Sequence, residues 1–132
     1  MTVVNGDASL TVNTGMLDNS AGASRTFTAP VHVPPGQLVC RMMLVARDND
    51  ANYNIDARLL RKSLAATSSL GAAPTQMGSV SSTSAADSIR VFTDTTISYR
   101  TISASYIYWV ELEYTLGFYQ TLAIRIEYKT SC

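Results

Sequence analysis

A single histidine, His32, and the lack of a Gly-x-Ser-x-Gly elbow leave little material for nucleophilic catalysis in this chain. A general base has to be held beside the group it deprotonates. His32 stands between Val31 and Val33, just before Pro34-Pro35, where a solvent-facing strand residue is the simplest reading. Glu111 and Glu113 form a carboxylate pair of the kind glycosidases use. They sit two positions apart on one predicted strand, with Arg125 and Lys129 as expected cross-strand partners, so the pair reads as salt-bridged outer-face residues. Oxygen ligands recur at every second position through Asp48, Asp50, Asn52, Asn54 and Asp56, which opens like an EF-hand calcium loop. Tyr53 stands where such a loop needs glycine, and Leu59 where it needs a bidentate glutamate. The cluster therefore reads as an Asx-rich turn, with a calcium site of another kind as the alternative. Cysteines and histidines at zinc spacing are lacking, as is a phosphate-cradling glycine loop. No catalytic residue, metal or cofactor is assigned.

Trp109, the only tryptophan, carries the most information. Alternation places it with Ile107 and Glu111, away from the tyrosine-rich side of its strand. Aromatic residues are enriched at the cores of protein interfaces. Ile107 and Trp109 are thus the candidate interaction residues, and Trp109 could equally stack on a sugar ring or lie under another segment of the same chain.

Those side chains need strands to hold them. Residues 105–115 alternate Tyr106, Tyr108, Val110, Leu112 and Tyr114 against Ile107, Trp109, Glu111 and Glu113, the period of a strand with one buried face. Residues 122–129 alternate Leu122, Ile124, Ile126 and Tyr128 against Ala123, Arg125, Glu127 and Lys129. The short connection between them, containing Gly117, predicts a hairpin. Upstream, 2–5 and 9–13 are short strand-like pieces punctuated by Gly6, Gly15 and Gly22. Residues 25–33 read as an edge strand, because Pro30 donates no ladder hydrogen bond, and Pro34-Pro35-Gly36 reads as a turn. The segment 37–47 is apolar on both faces, with Leu38, Cys40, Met42, Leu44 and Ala46 on one and Val39, Met43 and Val45, with Arg41 and Arg47, on the other; this predicts a central strand. Residues 53–62 alternate as a strand, Tyr53, Ile55, Ala57 and Leu59 on one face, although 57–66 is rich in helix formers. Strands are also expected within 77–82 and 88–98. About eight short strands between Gly, Pro and Asx turns predict an all-β antiparallel β-sandwich, jelly-roll-like. Residues 1–26 are expected to be an edge strand or an assembly arm, and 27–132 the sandwich itself.

Ten basic and ten acidic side chains cancel across 132 residues, which argues against a nucleic-acid partner. No apolar run reaches membrane-spanning length, and the N-terminal stretch lacks the regions of a signal peptide. Cys40, mid-strand among apolar residues, reads as a buried free thiol; Cys132 could pair with it or with a neighbouring chain.

The stretches FTAPVHVPPGQLV (27–39), ARDND (46–50), ARLLRKSL (57–64), YIYWVELEY (106–114) and LAIRIEYK (122–129) together resemble a family of uncharacterised bacterial extracellular or phage-associated β-sandwich domains. The resemblance spans 27–129 and touches structural positions, so it implies a fold and a setting, in a virion or an extracellular surface assembly. With the missing catalytic set, the expectation is a non-enzymatic structural or assembly protein. It would be a capsid-decorating, tail or filament subunit that packs with copies of itself and with a larger assembly. The alternative is a carbohydrate-binding module using Trp109, with calcium.

Overall fold

Among the described residues, nine strands form two antiparallel sheets. The structure is a computed structural model that describes residues 2–4, 9–18, 25–64, 73–83, 88–114 and 119–132. In chain order the strands are β1 (Thr2–Val4), β2 (Ser9–Asp18), β3 (Arg25–Pro30), β4 (Leu38–Asp48), β5 (Ile55–Ser63), β6 (Thr75–Ser81), β7 (Ile89–Asp94), β8 (Tyr106–Tyr114) and β9 (Tyr119–Lys129). One sheet runs β1-β2-β9-β4-β7 and the other β3-β8-β5-β6. The pairs β2·β9, β3·β8, β4·β7 and β5·β6 nest as one long hairpin. Rolling that hairpin brings β4 onto β9 and β5 onto β8. This is a jelly roll, with β1 added at the edge beside β2. Residues within 1–26 thus supply β1, β2 and the start of β3, and the strand reading of 57–63 prevails over the helical one.

The core is the meeting of the two inner faces. β4 contributes Val39, Met42, Leu44 and Ala46, β5 contributes Ile55, Ala57 and Leu59, β8 contributes Tyr108, Val110 and Leu112, and β9 contributes Ile124, Ile126 and Tyr128. The alternation of β8 and β9 therefore identifies the buried faces correctly. Their partners are a different matter. β8 and β9 lie in opposite sheets, so the expected hairpin does not form. An apolar face shows which side of a strand is covered, and both strands satisfy that requirement across the sandwich instead of side by side.

Register shifts change the faces. In β4, Val39 pairs with Tyr128 and Arg41 with Glu127, leaving Cys40 as the extra residue of a bulge. The bulge turns Val39 inward and Cys40 out of the core face, the reverse of the expected alternation. A second shift falls at Val45/Ala46 against β9, and a third sets both Met77 and Gly78 of β6 inside. Gly15, expected in a turn, lies within β2 where its register against β9 shifts between Asn13 and Leu17. Gly6, Gly22 and Gly117 lie outside the described residues.

Cys40 and Cys132 form a disulfide. The free-thiol expectation fails because the bulge aims Cys40 away from the core, toward the end of β9. The bond ties the residues after β9 to β4. Beside it, the carboxylate of Glu127 accepts from Arg41 Nε at 2.7 Å and meets Lys129 Nζ at 3.3 Å. Burial opposes ionisation of Glu127, but the hydrogen bonds and charges of Arg41 and Lys129 outweigh it and hold its pKa below the ordinary value of 4.5.

At the opposite edge Asp94 joins the sheets. Its carboxylate accepts from the Ser79 amide of β6 at 2.9 Å and from the Thr96 amide and hydroxyl at 2.8 and 2.6 Å. Ile97 packs so closely over Gly78 that a Cβ there would stand 2.6 Å from its Cδ1, and any side chain at this crossing would have to displace the end of Ile97.

Ile124→Asp should abolish folding: a buried, unpaired carboxylate costs several kcal/mol, on the order of the whole stability of such a domain. A cooperative melt retained in far-UV circular dichroism would contradict the inward placement of Ile124. The disulfide closes a loop of 92 residues, and its reduction should remove about 4 kcal/mol of stability. Thermal unfolding with and without dithiothreitol should differ by roughly 10 °C or more; coincident melts would contradict the bond. Because the folded-state pKa of Glu127 is lowered, its contribution is complete above 4.5 and declines as pH falls through and below that value. Glu127→Gln should therefore be less stable than the parent at neutral pH and lose less stability on acidification, as read by denaturant midpoints across that window.

Candidate interaction surface

β8 is flanked by β3 and β5, so its outward residues lie at the middle of an exposed sheet face. Trp109 stands opposite Pro30 of β3 and Leu60 of β5. Ile107 stands opposite Lys62, and the bond from the Val31 amide to the Tyr108 carbonyl (2.9 Å) extends the ladder so that His32 flanks it on the other side. Ile107 is 47% exposed and Trp109 half-buried. The next two rows are charged. Arg58 of β5 pairs with Glu111 and, at 3.1 Å, with Glu113. The two glutamates are thus ion-paired on the outer face as expected, but with Arg58, since Arg125 belongs to the other sheet and Lys129 is joined to Glu127 there. The outer face is divided along β8 into an apolar half and a charged half.

An open groove of about 820 Å³ adjoins the apolar half. It runs along β3 from Thr28 through Pro30 to Pro35, and its far wall is made by 102–104 and 106–109. Two devices position that wall. Gly36, at φ 89°, lets the Pro34-Pro35 turn fold back so that its amide donates to the Ile102 carbonyl at 2.8 Å. The Tyr108 hydroxyl accepts from the Ser103 amide at 3.0 Å. His32 is exposed at the rim. Val31 and Tyr108 are a hydrogen-bonded pair, so the alternation of an antiparallel ladder makes Pro30 and Trp109 a non-bonded one. The nitrogen of Pro30 accordingly faces the open side of β3.

Across Tyr106 from the groove lies a group that the sequence reading passed over. The Arg61 guanidinium carbon sits 4.1 Å from the centroid of the Tyr99 ring and 4.3 Å from that of Tyr106. Tyr99 is 57% exposed and has φ 50°, a left-handed conformation that costs energy in a residue with a Cβ. The signal for Arg61 was present: continuing the alternation Ile55, Ala57, Leu59 by two residues puts an arginine on the inner face. Tyr99 had no such signal, because its place depends on how the segment after β7 folds back, with the Ser98 amide donating to the Met77 carbonyl at 2.7 Å.

The Asx cluster is dispersed. Asp48, fully buried, accepts from the Ser82 hydroxyl and from the Asp50 amide at 3.0 Å. Asp50 accepts from the amides of Asn52 and Tyr53 at 2.8 and 3.2 Å, and Asp56 accepts from the Ser81 hydroxyl. Asn52 and Asn54 face solvent. These are the bonds of an Asx turn, and among the described residues no three His, Cys, Asp or Glu side chains converge as a metal site. Among the described residues no helix is long and apolar enough to cross a membrane.

No protein-family model matches the chain, and no curated protein matches it.

Proposed function

We propose that this protein is a non-enzymatic structural or assembly subunit that packs through the outer faces of its sandwich. Its most concrete form is a virion-associated protein, capsid-decorating or tail, or else an extracellular filament subunit. The observation that carries this reading is the presence of two separate apolar patches on opposite faces. One is the Ile107–Trp109 half of β8 with its groove. The other is on edge strand β7, where Phe92 packs toward the core and the alternate residues Ile89 (56% exposed) and Val91 (59% exposed) face outward beside Val45. Contiguous exposed apolar surface marks interaction sites, and unlike patches on opposite faces suit head-to-tail packing. The disulfide suits an oxidising location such as a virion or extracellular surface. Jelly rolls serve in both viral capsids and lectins, which is an analogy of fold alone.

A glycan-binding role has Trp109 in its favour, as a ring for a sugar to stack on. The groove beside it is walled by Val, Ile, Ala and Pro side chains, with Thr28, His32, Ser103 and Tyr106 as the groups that could hydrogen-bond hydroxyls.

Trp109→Ala should keep the parent's circular dichroism spectrum and weaken self-association or particle binding by roughly 30-fold or more, the effect of truncating an interface anchor. Sedimentation velocity over a wide concentration range, for parent and variant, reads this directly. A parent that stays monomeric at every concentration and binds no particle would sink the proposal. A glycan-array signal lost in the variant would transfer the site to sugar recognition.

A further inference from the structure

The geometry points to a second, specific element of this surface: Arg61 is a carboxylate receptor that works with the groove on the other side of Tyr106. An arginine normally uses its N–H fork on carboxylates or carbonyls. Among the described residues Arg61 makes no hydrogen bond or ion pair; its contacts there are the two tyrosine rings. Its Nε is shielded from solvent and without a partner among the described residues. Leaving such donors unpaired at a partly buried site is costly, and the strained backbone of Tyr99 holds a ring against them. Arg58, three residues earlier on the opposite face of β5, has an equally unpartnered Nε, but its terminal nitrogen is engaged by Glu111 and Glu113. The positive charge at Arg61 is therefore pre-positioned and uncompensated.

The surroundings select the ligand. Tyr106 is shared, one contact being with Arg61 and another lining the groove. Leu64 and Tyr99, both exposed, lie at the same end of β5 and β8, with Ile107 exposed on the outer side there; the Leu64 amide donates to the Ser105 carbonyl at 2.8 Å. Largely apolar walls beside a cation fixed between two rings suit a peptide segment of a partner better than a sugar. The groove follows β3 and Arg61 rises from β5, two strand spacings or about 10 Å away. An extended peptide covers that distance in about three residues. The occupant is thus a peptide with an apolar side chain in the groove and a carboxylate three residues on, from an acidic side chain or a free C-terminus. This deepens the assembly reading and rests on it for its biological setting, but not for its chemistry.

The test uses short synthetic peptides on the intact protein. Acetyl-Leu-Ala-Ser-Glu-amide is compared with its Glu-to-Gln twin, and acetyl-Leu-Ala-Ser-Ala is compared with a free and an amidated C-terminus. NMR follows the Arg61 Nε–Hε and Trp109 indole signals. The acidic peptide should shift both signals saturably and bind about tenfold or more tighter than its Gln twin; the free-terminus arm tells which carboxylate source serves better. Arg61→Gln should bind acid and amide twins alike, Arg61→Lys should recover part of the preference, and Trp109→Ala should weaken both twins while keeping it. Circular dichroism melts verify that each variant folds. Equal binding of the twins by the parent, or no shift at either signal at millimolar peptide, would overturn the inference. Either result leaves concentration-dependent assembly of the parent to stand or fall separately.

Discussion

The inner faces of β4, β5, β8 and β9 bury one another, and the alternation imposed by that contact decides what each outward position can be. Once Val110 and Leu112 face the core, Trp109 and Glu111 have to face out. Once Ile124 and Ile126 face in, Arg125 and Glu127 belong to the opposite surface. The same geometry sorts charge. Arg58 serves Glu111 and Glu113 on one sheet, and Arg41 and Lys129 serve Glu127 on the other. The half-exposed Arg58 set contributes little to stability, and its larger effect is to confine the apolar surface of β8 to one half of the sheet.

What could be read from the amino acids follows from the range over which each signal acts. Period-two alternation is local, and it identified the buried faces of β8 and β9, the strand at 55–63 and the outward direction of Ile107 and Trp109. Strand partnership is set by contacts far apart in sequence, and β8 with β9 shows the limit: adjacent in the chain, each with an apolar face, and in different sheets. Bulges are a second limit. One extra residue at Cys40 inverts the alternation of β4 around it, and that inversion converts a supposed core thiol into half of a disulfide. The ligand-like spacing of Asp48 to Asp56 was the most suggestive pattern in the chain, yet a turn between two strands sends its side chains to separate tasks. Arg61 and Tyr99 meet only because the segment after β7 returns to β6, which no short window of sequence contains.

The division of labour between the two ends of β8 has a mechanical basis. Toward Tyr114, β8 carries rows of ion pairs. Toward Tyr106 it is framed by the Pro34–Gly36 turn, the Ser103–Tyr108 bond and the Tyr99 ring, each held by a backbone contact and not by side-chain packing alone. A surface supported in that way is pre-formed, so a partner spends little of its binding energy on ordering it.

Pro30 adds a constraint on how such molecules come together. An open strand edge is a template on which further strands can stack, one copy after another. With its nitrogen turned to that open side, Pro30 removes a donor from the middle of the row that an incoming strand would need. Growth by continuous β-ladder is thereby discouraged along β3, where the groove leaves the edge accessible. Copies or partners would meet this molecule by surface complementarity, in countable contacts, and not by merging their backbones into an unlimited sheet.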